Sequence, residues 1–183
     1  MDIPVDIKSA YIETERLILR PWLESDLGDL YEYASVEGVG EMAGWKHHES
    51  IEVSHRILQS FIDQKNVFAI VHKEDGKVIG SIGMHNSWTN EEPEYKDLKV
   101  KEIGYALSKS YWGKGLMPEA VQEVIKYCFD NYSIDALSIC HFKDNYQSQR
   151  VIEKCGFKYV LQKEFYSEQL QKSLVSVKYI LYR

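Results

Sequence analysis

Apolar residues recur along the chain with two periods, one typical of helices and the other of strands. Residues 27–34 are apolar at i, i+3, i+4 and i+7, which predicts a helix capped by Ser25 or Asp26. A second helix is predicted from about Ser50. Its apolar face consists of Ile51, Leu58, Phe61 and Ile62. The glycine-rich residues 36–49 between the two helices predict a loop.

Runs of β-branched and aromatic residues predict the strands of a sheet. Residues 67–71 and 78–84 predict a hairpin, because Asp75-Gly76 supplies the positive φ angles that a tight turn needs. A first strand covers residues 16–20 and stops at Pro21. The other predicted strands are residues 100–107, 136–141, 159–166 and 174–181.

Two more helices are predicted in the second half of the chain. Apolar residues keep helical spacing from Leu116 onward, and residues 146–154 form a shorter helix that Gly156 ends in a left-handed cap. The elements then follow the order β-α-α-β-β-β-α-β-α-β-β. This order predicts a single α/β domain over residues 11–183, after an N-terminal lead of residues 1–10.

Composition and charge limit the classes of function. The 22 basic and 28 acidic side chains give a net charge of −6, which disfavours a nucleic-acid partner because phosphates are neutralised by a basic surface. The longest uncharged stretch, residues 78–90, is too short and too polar to span a bilayer. The first six residues lack the basic and apolar segments of a secretion signal. We therefore expect a cytoplasmic protein that binds neither nucleic acid nor membrane.

The cysteines indicate neither a disulfide framework nor a metal site. Cys128, Cys140 and Cys155 are odd in number, lack the CxxC spacing and lie among apolar neighbours. We expect them to be buried, reduced thiols, and we predict no metal cofactor.

The most informative motif is YWGKGLMPEA at residues 111–120, between a predicted strand and a predicted helix. Gly113 and Gly115 allow a tight turn and close approach to a ligand, and the helix that follows presents unpaired amides and the positive end of its dipole. A phosphate group suits such a site, and Lys114 could add a cation at its mouth. The same two glycines are equally compatible with a plain strand-to-helix turn.

Two common phosphate loops do not match this motif. A P-loop needs Gly-x-x-x-x-Gly-Lys-Ser/Thr, and neither glycine begins or ends such a run. The dinucleotide fingerprint needs a third glycine where this chain has Pro118. A nucleotide triphosphatase and a standard Rossmann enzyme are therefore disfavoured.

The wider set of motifs closely resembles the GNAT superfamily of N-acetyltransferases, and within it the branch of ribosomal-protein N-terminal acetyltransferases. The motifs that carry the resemblance are TERLILRPW at 14–22, IGSIG at 79–83, EIGYAL at 102–107, WGKG at 112–115, NYQS at 145–148 and VIEKCGF at 151–157. The resemblance covers about residues 11–183. It implies the GNAT fold, which has a mixed, mostly antiparallel central sheet flanked by helices.

The resemblance also implies that acetyl-CoA is the acyl donor and coenzyme A the product. The amides of residues 113–117 would hold the pyrophosphate, although Ser110 stands where the family usually has Gln or Arg. The main chain of Tyr105 and Leu107 would pair with the pantetheine arm, in a cofactor site wedged where two central strands splay apart. Asn145 would bond pantetheine or substrate. The implied cofactor-binding residues are Tyr105, Ala106, Leu107, Trp112, Gly113, Lys114, Gly115, Leu116, Met117 and Asn145.

Direct acyl transfer to an amine requires a neutral amine, a polarised carbonyl and a proton for the leaving thiolate. The amides of residues 105–106 are the candidates for polarising the carbonyl, and Ser148, facing the thioester sulfur, is the candidate proton donor. Glu102 is the preferred base, with His85 and His141 as alternatives. Glu102 is also compatible with a purely structural ion pair.

The acceptor is expected to be a primary amine, either a peptide N-terminus or a small molecule. An α-amine titrates near 7.7–8.0 and is easier to deprotonate than a lysine amine near 10.4. In the GNAT superfamily the variable region at residues 36–64 and the loop at 87–99 set the acceptor. Side chains expected to line the substrate loop are Met42, Trp45, His47 and His48, and those that could steer a cationic amine are Glu41, Glu91, Glu92 and Glu94.

Other functions remain open at this point. A non-catalytic acyl-CoA-binding regulatory module would keep the same loop, and a nucleotide-dependent enzyme would use it differently. The aromatic-rich end of the chain offers an interface for a homodimer.

Overall fold

The computed structural model describes residues 2–183 and contains one eight-stranded sheet with four α-helices. The strands are β1 (Ile12–Glu13), β2 (Leu17–Pro21), β3 (Val67–His72), β4 (Lys77–Asn86), β5 (Val100–Leu107), β6 (Ala136–Phe142), β7 (Lys158–Ser167) and β8 (Lys172–Tyr182). The helices are α1 (Leu27–Ala34), α2 (Ile51–Gln64), α3 (Leu116–Asn131) and α4 (Tyr146–Lys154). Apart from the two-residue β1, every one of these elements is predicted by the sequence.

The strands lie in the order β1-β2-β3-β4-β5-β6-β8-β7. Only β5 and β6 run parallel, and every other neighbouring pair is antiparallel. The helical connection α3 makes this parallel pair feasible, because parallel strands need a long crossover. The predicted mixed, mostly antiparallel sheet is confirmed.

The parallel pair is the feature that opens the sheet. β5 and β6 pair only from Val100 opposite Ala136 to Ile103 opposite Ile139. β5 continues to Leu107 while still paired with β4 on its other side. The second half of β5 therefore has a free edge in the middle of the sheet.

Apolar side chains fill both faces of the sheet. One cluster packs α3 and α4 against the sheet and contains a fully buried stripe of α3. This stripe consists of Ala120, Val121, Val124 and Cys128. The other cluster packs α1 and α2 against the opposite face. The free edge of β5 therefore lies between two packed faces.

Some local predictions differ from the structure. Asp26 precedes α1, but its carboxylate accepts hydrogen bonds from the amide of Leu23 and the guanidinium of Arg20 instead of capping the helix. Ile51 is 44% exposed and does not belong to the buried face of α2. The hairpin turn has a positive φ only at Gly76, at 62°. Gly156 does adopt the predicted left-handed conformation after α4, with φ 87°.

The ends of the chain also have defined environments. Ile7 is buried and its amide donates to the carbonyl of Lys65, so the N-terminal lead packs against the domain. The edge strand β7 exposes Tyr159 and Tyr166, and the homodimer stays a prediction. All three cysteines are free thiols; Cys128 is buried, and Cys140 and Cys155 are half-buried.

Residues 2–183 contain neither a membrane-spanning helix nor a cluster of metal-binding side chains. Among residues 2–183 no helix has both the length and the apolar composition required to cross a membrane. The same residues contain no group of three or more His, Cys, Asp or Glu side chains arranged to hold a metal ion.

Candidate active site

A cavity of about 910 Å³ occupies the gap between β5 and β6. The beginning of α3 and one side of α4 line its first lobe, which we call the donor lobe. The helices α1 and α2 and the loop at residues 36–49 line its second lobe, which we call the acceptor lobe. The free edge of β5 lies between the two lobes. Two ligands could therefore meet at β5.

The hydrogen-bond pattern of β5 shows which main-chain groups face this cavity. The amide of Ser108 donates to the carbonyl of Ile79 at 2.8 Å, which fixes the alternation of the β4–β5 ladder. The main-chain groups of Ala106 accordingly point towards β4, and those of Tyr105 and Leu107 point into the gap. Of the two amides considered for polarising a carbonyl, Tyr105 has the suitable direction.

Trp112 closes the end of this strand. Its indole N–H donates to the carbonyl oxygen of Leu107 at 2.7 Å, and its ring packs against both apolar clusters. One acceptor of the free edge is thus already used by the protein. Three other groups of this edge are not occupied by the indole: the amide of Leu107 and the amide and carbonyl of Tyr105.

The glycine loop forms the wall of the donor lobe at the start of α3. Gly113 and Gly115 have φ angles of 73° and 75°, which only glycine adopts without strain. Gly115 is the N-cap of α3, so the amides of Leu116 and Met117 begin a 16-residue helix and have no partner inside it. A Cβ on Gly113 would meet no atom within 4 Å, so its surroundings are open. The loop is a suitable cradle for a phosphate group.

Charge in the donor lobe comes from helix α4. The exposed side chain of Lys114 lies over the ring of Tyr111 at 5.0 Å and does not line the cavity. Arg150 and Lys154 do line it. Their spacing of four residues on a predicted helix places them on one face, and this signal was present in the sequence.

A clamp from the first strand region holds the glycine loop in place. Arg16 donates through Nη1 to the carbonyl oxygen of Lys114 at 2.8 Å and forms an ion pair with Glu119 at 2.7 Å. The other carboxylate oxygen of Glu119 accepts from the hydroxyl of Thr14 at 2.5 Å and from the amide of Arg16 at 2.9 Å. Burial alone would raise the pKa of Glu119, but these hydrogen bonds outweigh it and lower the pKa.

We expect Glu119→Gln to lower the free energy of unfolding by about 1 kcal/mol, because a partly exposed Arg–carboxylate pair loses its charge. A carboxyl with a lowered pKa stabilises the fold at neutral pH, and that contribution is lost as the pH falls through the lowered pKa. The difference from wild type should therefore shrink in acid. Denaturant unfolding at several pH values measures it. Glu123→Gln, one turn further along α3, is the matched control, and equal stability of the two variants would contradict the clamp.

Ser148 and Tyr105 meet at the boundary of the donor lobe. The hydroxyl oxygens of the two side chains lie 2.7 Å apart, and Ser148 is only 8% exposed. Burial raises the pKa of the Tyr105 phenol, so this group stays protonated and can hold or replace a proton on Ser148. Sequence reasoning singled out only the main chain of Tyr105 and missed its hydroxyl group.

Asn145 has a structural function at the start of α4. Its Oδ1 accepts from the amide of Ser148 at 3.1 Å as a helix cap, and its Nδ2 donates to the carbonyl of Met42 at 3.2 Å. The side chain thereby joins α4 to the loop at residues 36–49. Although Asn145 lines the cavity, contact with a cofactor or substrate stays a prediction.

Glu102 lies on β5 where the strands separate, and it faces the acceptor lobe. Its Oε1 accepts from the thiol of Cys140 at 3.2 Å, and its Oε2 from the amide of Trp88 at 3.1 Å and the hydroxyl of Ser138 at 3.4 Å. Burial raises the pKa of Glu102, although these hydrogen bonds oppose the shift. A raised pKa brings a carboxylate closer to the range useful for a general base.

A second, smaller cavity lies behind Glu102. Its volume is about 400 Å³, and Glu102 and Cys140 line both cavities. Burial raises the pKa of Cys140 to about 12, so this residue remains a thiol and continues to donate to Glu102. Polar side chains such as Ser87 and Lys178 line the second cavity. The second cavity could therefore serve as a polar route by which a proton accepted by Glu102 leaves the site.

The two alternative bases differ in their surroundings. His85 is the direct cross-strand neighbour of Glu102, and its ring extends over Gly83 and Gly104, where a Cβ would lie within 2.6 and 3.1 Å of it. Burial lowers the pKa of His85, with a smaller contribution from the charge of Lys101. His85 therefore faces the cavity as a neutral ring.

The ring of His141 forms hydrogen bonds within the fold. Its Nδ1 donates to the carbonyl of Phe142 at 2.8 Å, and because that nitrogen carries the proton, Nε2 accepts from the hydroxyl of Tyr179 at 3.1 Å. Both ring nitrogens are occupied, so the geometry favours Glu102 and His85 over His141.

The acidic residues considered for steering lie elsewhere. Of Glu41, Glu91, Glu92 and Glu94, none lines the main cavity, and Glu91 lines the smaller one. Glu41 organises its own loop by accepting from the amide of Gly38 at 2.7 Å and from the His47 ring at 2.8 Å. His48 is buried against the hydroxyl of Ser54 at 2.7 Å. None of these four carboxylates therefore adds negative charge to the lining of the acceptor lobe.

Comparison with known sequences gives one family and several relatives. Residues 16–158 match the family described as the acetyltransferase (GNAT) domain. A protein of Bacillus subtilis named as the uncharacterized N-acetyltransferase YoaA is 27% identical over 151 residues, which cover 80% of this chain and 81% of that protein.

Solved structures share the fold at low sequence identity. The microcin C7 self-immunity acetyltransferase MccE, in complex with acetyl-CoA and AMP, has a TM-score of 0.78 at 20% identity, covering 97% of this chain and 99% of that one. The ribosomal-protein-S5-alanine acetyltransferase of Vibrio fischeri has a TM-score of 0.69 at 19% identity, covering 93% of this chain and 96% of that one. At these identities the likeness establishes the fold.

Proposed function

Because the chain belongs to the GNAT acetyltransferase family and is an acetyl-CoA-dependent N-acyltransferase, we propose that it acetylates a primary amine of low pKa, such as the α-amine of a peptide. An α-amine titrates near 7.7–8.0, so a single half-buried carboxylate would suffice to neutralise it, whereas a lysine amine near 10.4 needs more help. The observation that carries the proposal is the free edge of β5 between the glycine loop and Glu102 in one continuous cavity.

The donor lobe has the groups that acetyl-CoA requires. Acetyl-CoA, when bound, supplies an activated acetyl thioester. The amides of residues 113–117 would receive its pyrophosphate, and the cations of Arg150 and Lys154 lie on the facing helix. The carbonyl of Tyr105 and the amide of Leu107 would align the pantetheine arm as a strand-like partner. The observed fit of open glycine loop and unpaired strand edge supports this use.

The three chemical requirements of the transfer would be met by groups on the two sides of β5 and on β5 itself. Glu102 would accept the proton of the incoming ammonium on the acceptor side, and the second cavity behind it gives that proton a way out. Ser148, backed by the hydroxyl of Tyr105, would give a proton to the departing thiolate on the donor side and would recover the second proton that the acceptor nitrogen loses as the amide forms. The amide of Tyr105 would donate to the developing oxyanion.

Isothermal titration with acetyl-CoA, followed by a thiol-release assay with peptide and small-molecule amines, tests this function. We expect binding in the micromolar range and thiol release that depends on the amine. Absence of acetyl-CoA binding at high micromolar concentration would contradict the donor site. Tight binding without thiol release from any amine would instead favour a regulatory acyl-CoA-binding module.

A further inference from the structure

The acceptor lobe has a wall of apolar side chains that the fold leaves partly exposed. Val53, Ile57 and Phe61 follow one another at four-residue intervals on α2 and line the cavity. Ile57 is 36% exposed, while Leu58 on the adjacent face of the helix is fully buried. Ile57 does not belong to the apolar cluster beneath α2, and its side chain is available to a ligand in the cavity.

The opposite wall of this lobe is apolar and preformed. Met42 lines the cavity with 44% of its surface exposed, and Trp45 lies beside it. The Trp45 ring occupies the space above Gly40, where it leaves no room for a Cβ, and it contacts the ring of His48 at a centroid distance of 5.2 Å. The hydrogen bond from Asn145 to the Met42 carbonyl holds this wall against α4.

Charged groups in the lobe are few. Within residues 2–183, Glu102 is the only carboxylate that lines the main cavity. Lys46 is the cation on this side, and its ammonium group is paired with Glu49 at 2.6 Å. A charged substituent on an acceptor would therefore be moved from water into apolar surroundings without a partner, which is unfavourable. The lobe suits an amine next to an apolar group.

Building on the proposed function, we infer that the acceptor is a primary amine whose adjacent carbon carries an apolar side group of about the size of leucine or phenylalanine. The amine would lie at Glu102 and His85, and the side group would fill the space between Ile57 and Trp45. Two kinds of acceptor carry such a group next to a primary amine: a peptide whose first residue is apolar, and a free aliphatic or aromatic amine.

The test compares acceptors that differ only in the side group. We expect kcat/KM for leucine amide to exceed that for glycine amide by roughly tenfold to a hundredfold, because an apolar side chain leaves water. Aspartate amide should be the poorest acceptor. Tripeptides that begin with the same residues identify the source: a further gain with length indicates a peptide, and equal rates indicate a free amine. Equal kcat/KM for leucine, glycine and aspartate acceptors would overturn the inference.

A matched pair of variants assigns the preference to this wall. Ile57→Ser should reduce the leucine-to-glycine ratio to within about threefold while acetyl-CoA binding stays unchanged. Ile51→Ser is the control, because Ile51 is also exposed on the same helix, at 44%, but does not line the cavity. An unchanged ratio in Ile57→Ser would overturn the assignment.

Binding of the acceptors, measured by calorimetry in the presence of coenzyme A, separates this inference from the proposed function. If leucine amide binds better than glycine amide and Ile57→Ser removes the difference, the inference holds even where no thiol is released. In that case only the proposed transferase activity fails. Equal binding of both amides would overturn the inference independently of turnover.

Discussion

Replacing Gly113 by aspartate is expected to weaken acetyl-CoA binding at least a hundredfold while the fold survives. Gly113 has a φ of 73° and open surroundings, so a side chain there displaces no neighbouring atom. Its carboxylate would stand among the amides of the glycine loop and repel the pyrophosphate. Charge-assisted hydrogen bonds contribute about 1.5–3 kcal/mol each, so the loss of two of them corresponds to roughly a hundredfold or more. Titration calorimetry measures the change.

Two controls separate charge from backbone strain. Gly113→Asn introduces a side chain of the same size at the same positive φ without a charge, so it should bind acetyl-CoA substantially better than Gly113→Asp. Gly76→Asp introduces the charge at another glycine of positive φ, outside the cavity, and should leave binding close to wild type. If the asparagine and aspartate variants bind equally, the loop does not recognise an anion.

Replacing Glu102 by glutamine is expected to lower kcat by about a hundredfold or more, the usual contribution of a general base. Burial raises the pKa of Glu102, and the carboxylate is the active form, so wild-type kcat should fall as the pH drops through this raised value. In Glu102→Gln the rate should follow the ionisation of the amine instead, near 7.7–8.0. Steady-state kinetics across this pH range provides the measurement.

The deficit of Glu102→Gln should be largest at about pH 6–7 and should shrink at alkaline pH, because an amine that is already neutral needs no base. Binding of acetyl-CoA should not change, since Glu102 faces the acceptor lobe. Glu91→Gln removes a nearby carboxylate that lines only the second cavity and serves as the control. A pH profile of Glu102→Gln parallel to that of wild type would remove Glu102 from the role of base.

Features that depend on a few adjacent residues could be predicted from the sequence. The glycine loop, the cap at Gly156 and the hairpin near Gly76 follow from backbone conformations that glycine alone adopts easily. The helices also follow from local pattern, because each has a buried and an exposed side, and the central strands β3 and β6 follow from short apolar runs because both of their faces are buried. This is why the element order and the position of the loop agree with the structure.

Features that depend on distant partners could not be predicted in this way. Arg16 and Glu119 are 103 residues apart, and nothing in either segment identifies the other. Lys114 was the nearest cation to the loop in sequence, yet Arg150 and Lys154 line the donor lobe because α4 folds against it. The sequence of α2 likewise predicts a single apolar face. In the structure Leu58 packs in the core, and a neighbouring row that includes Ile57 lines the cavity.

The short pairing of β5 with β6 has a mechanical consequence. Only four residue pairs, from Val100–Ala136 to Ile103–Ile139, connect the five strands before the gap to the three strands after it. The sheet thus consists of two plates joined by a narrow hinge. A pantetheine arm lying along Tyr105 and Leu107 would act as a wedge that sets the angle between the plates. The spacing between Glu102 on one plate and the α4 side of the cleft would then depend on the pantetheine arm, which acetyl-CoA and the product coenzyme A share.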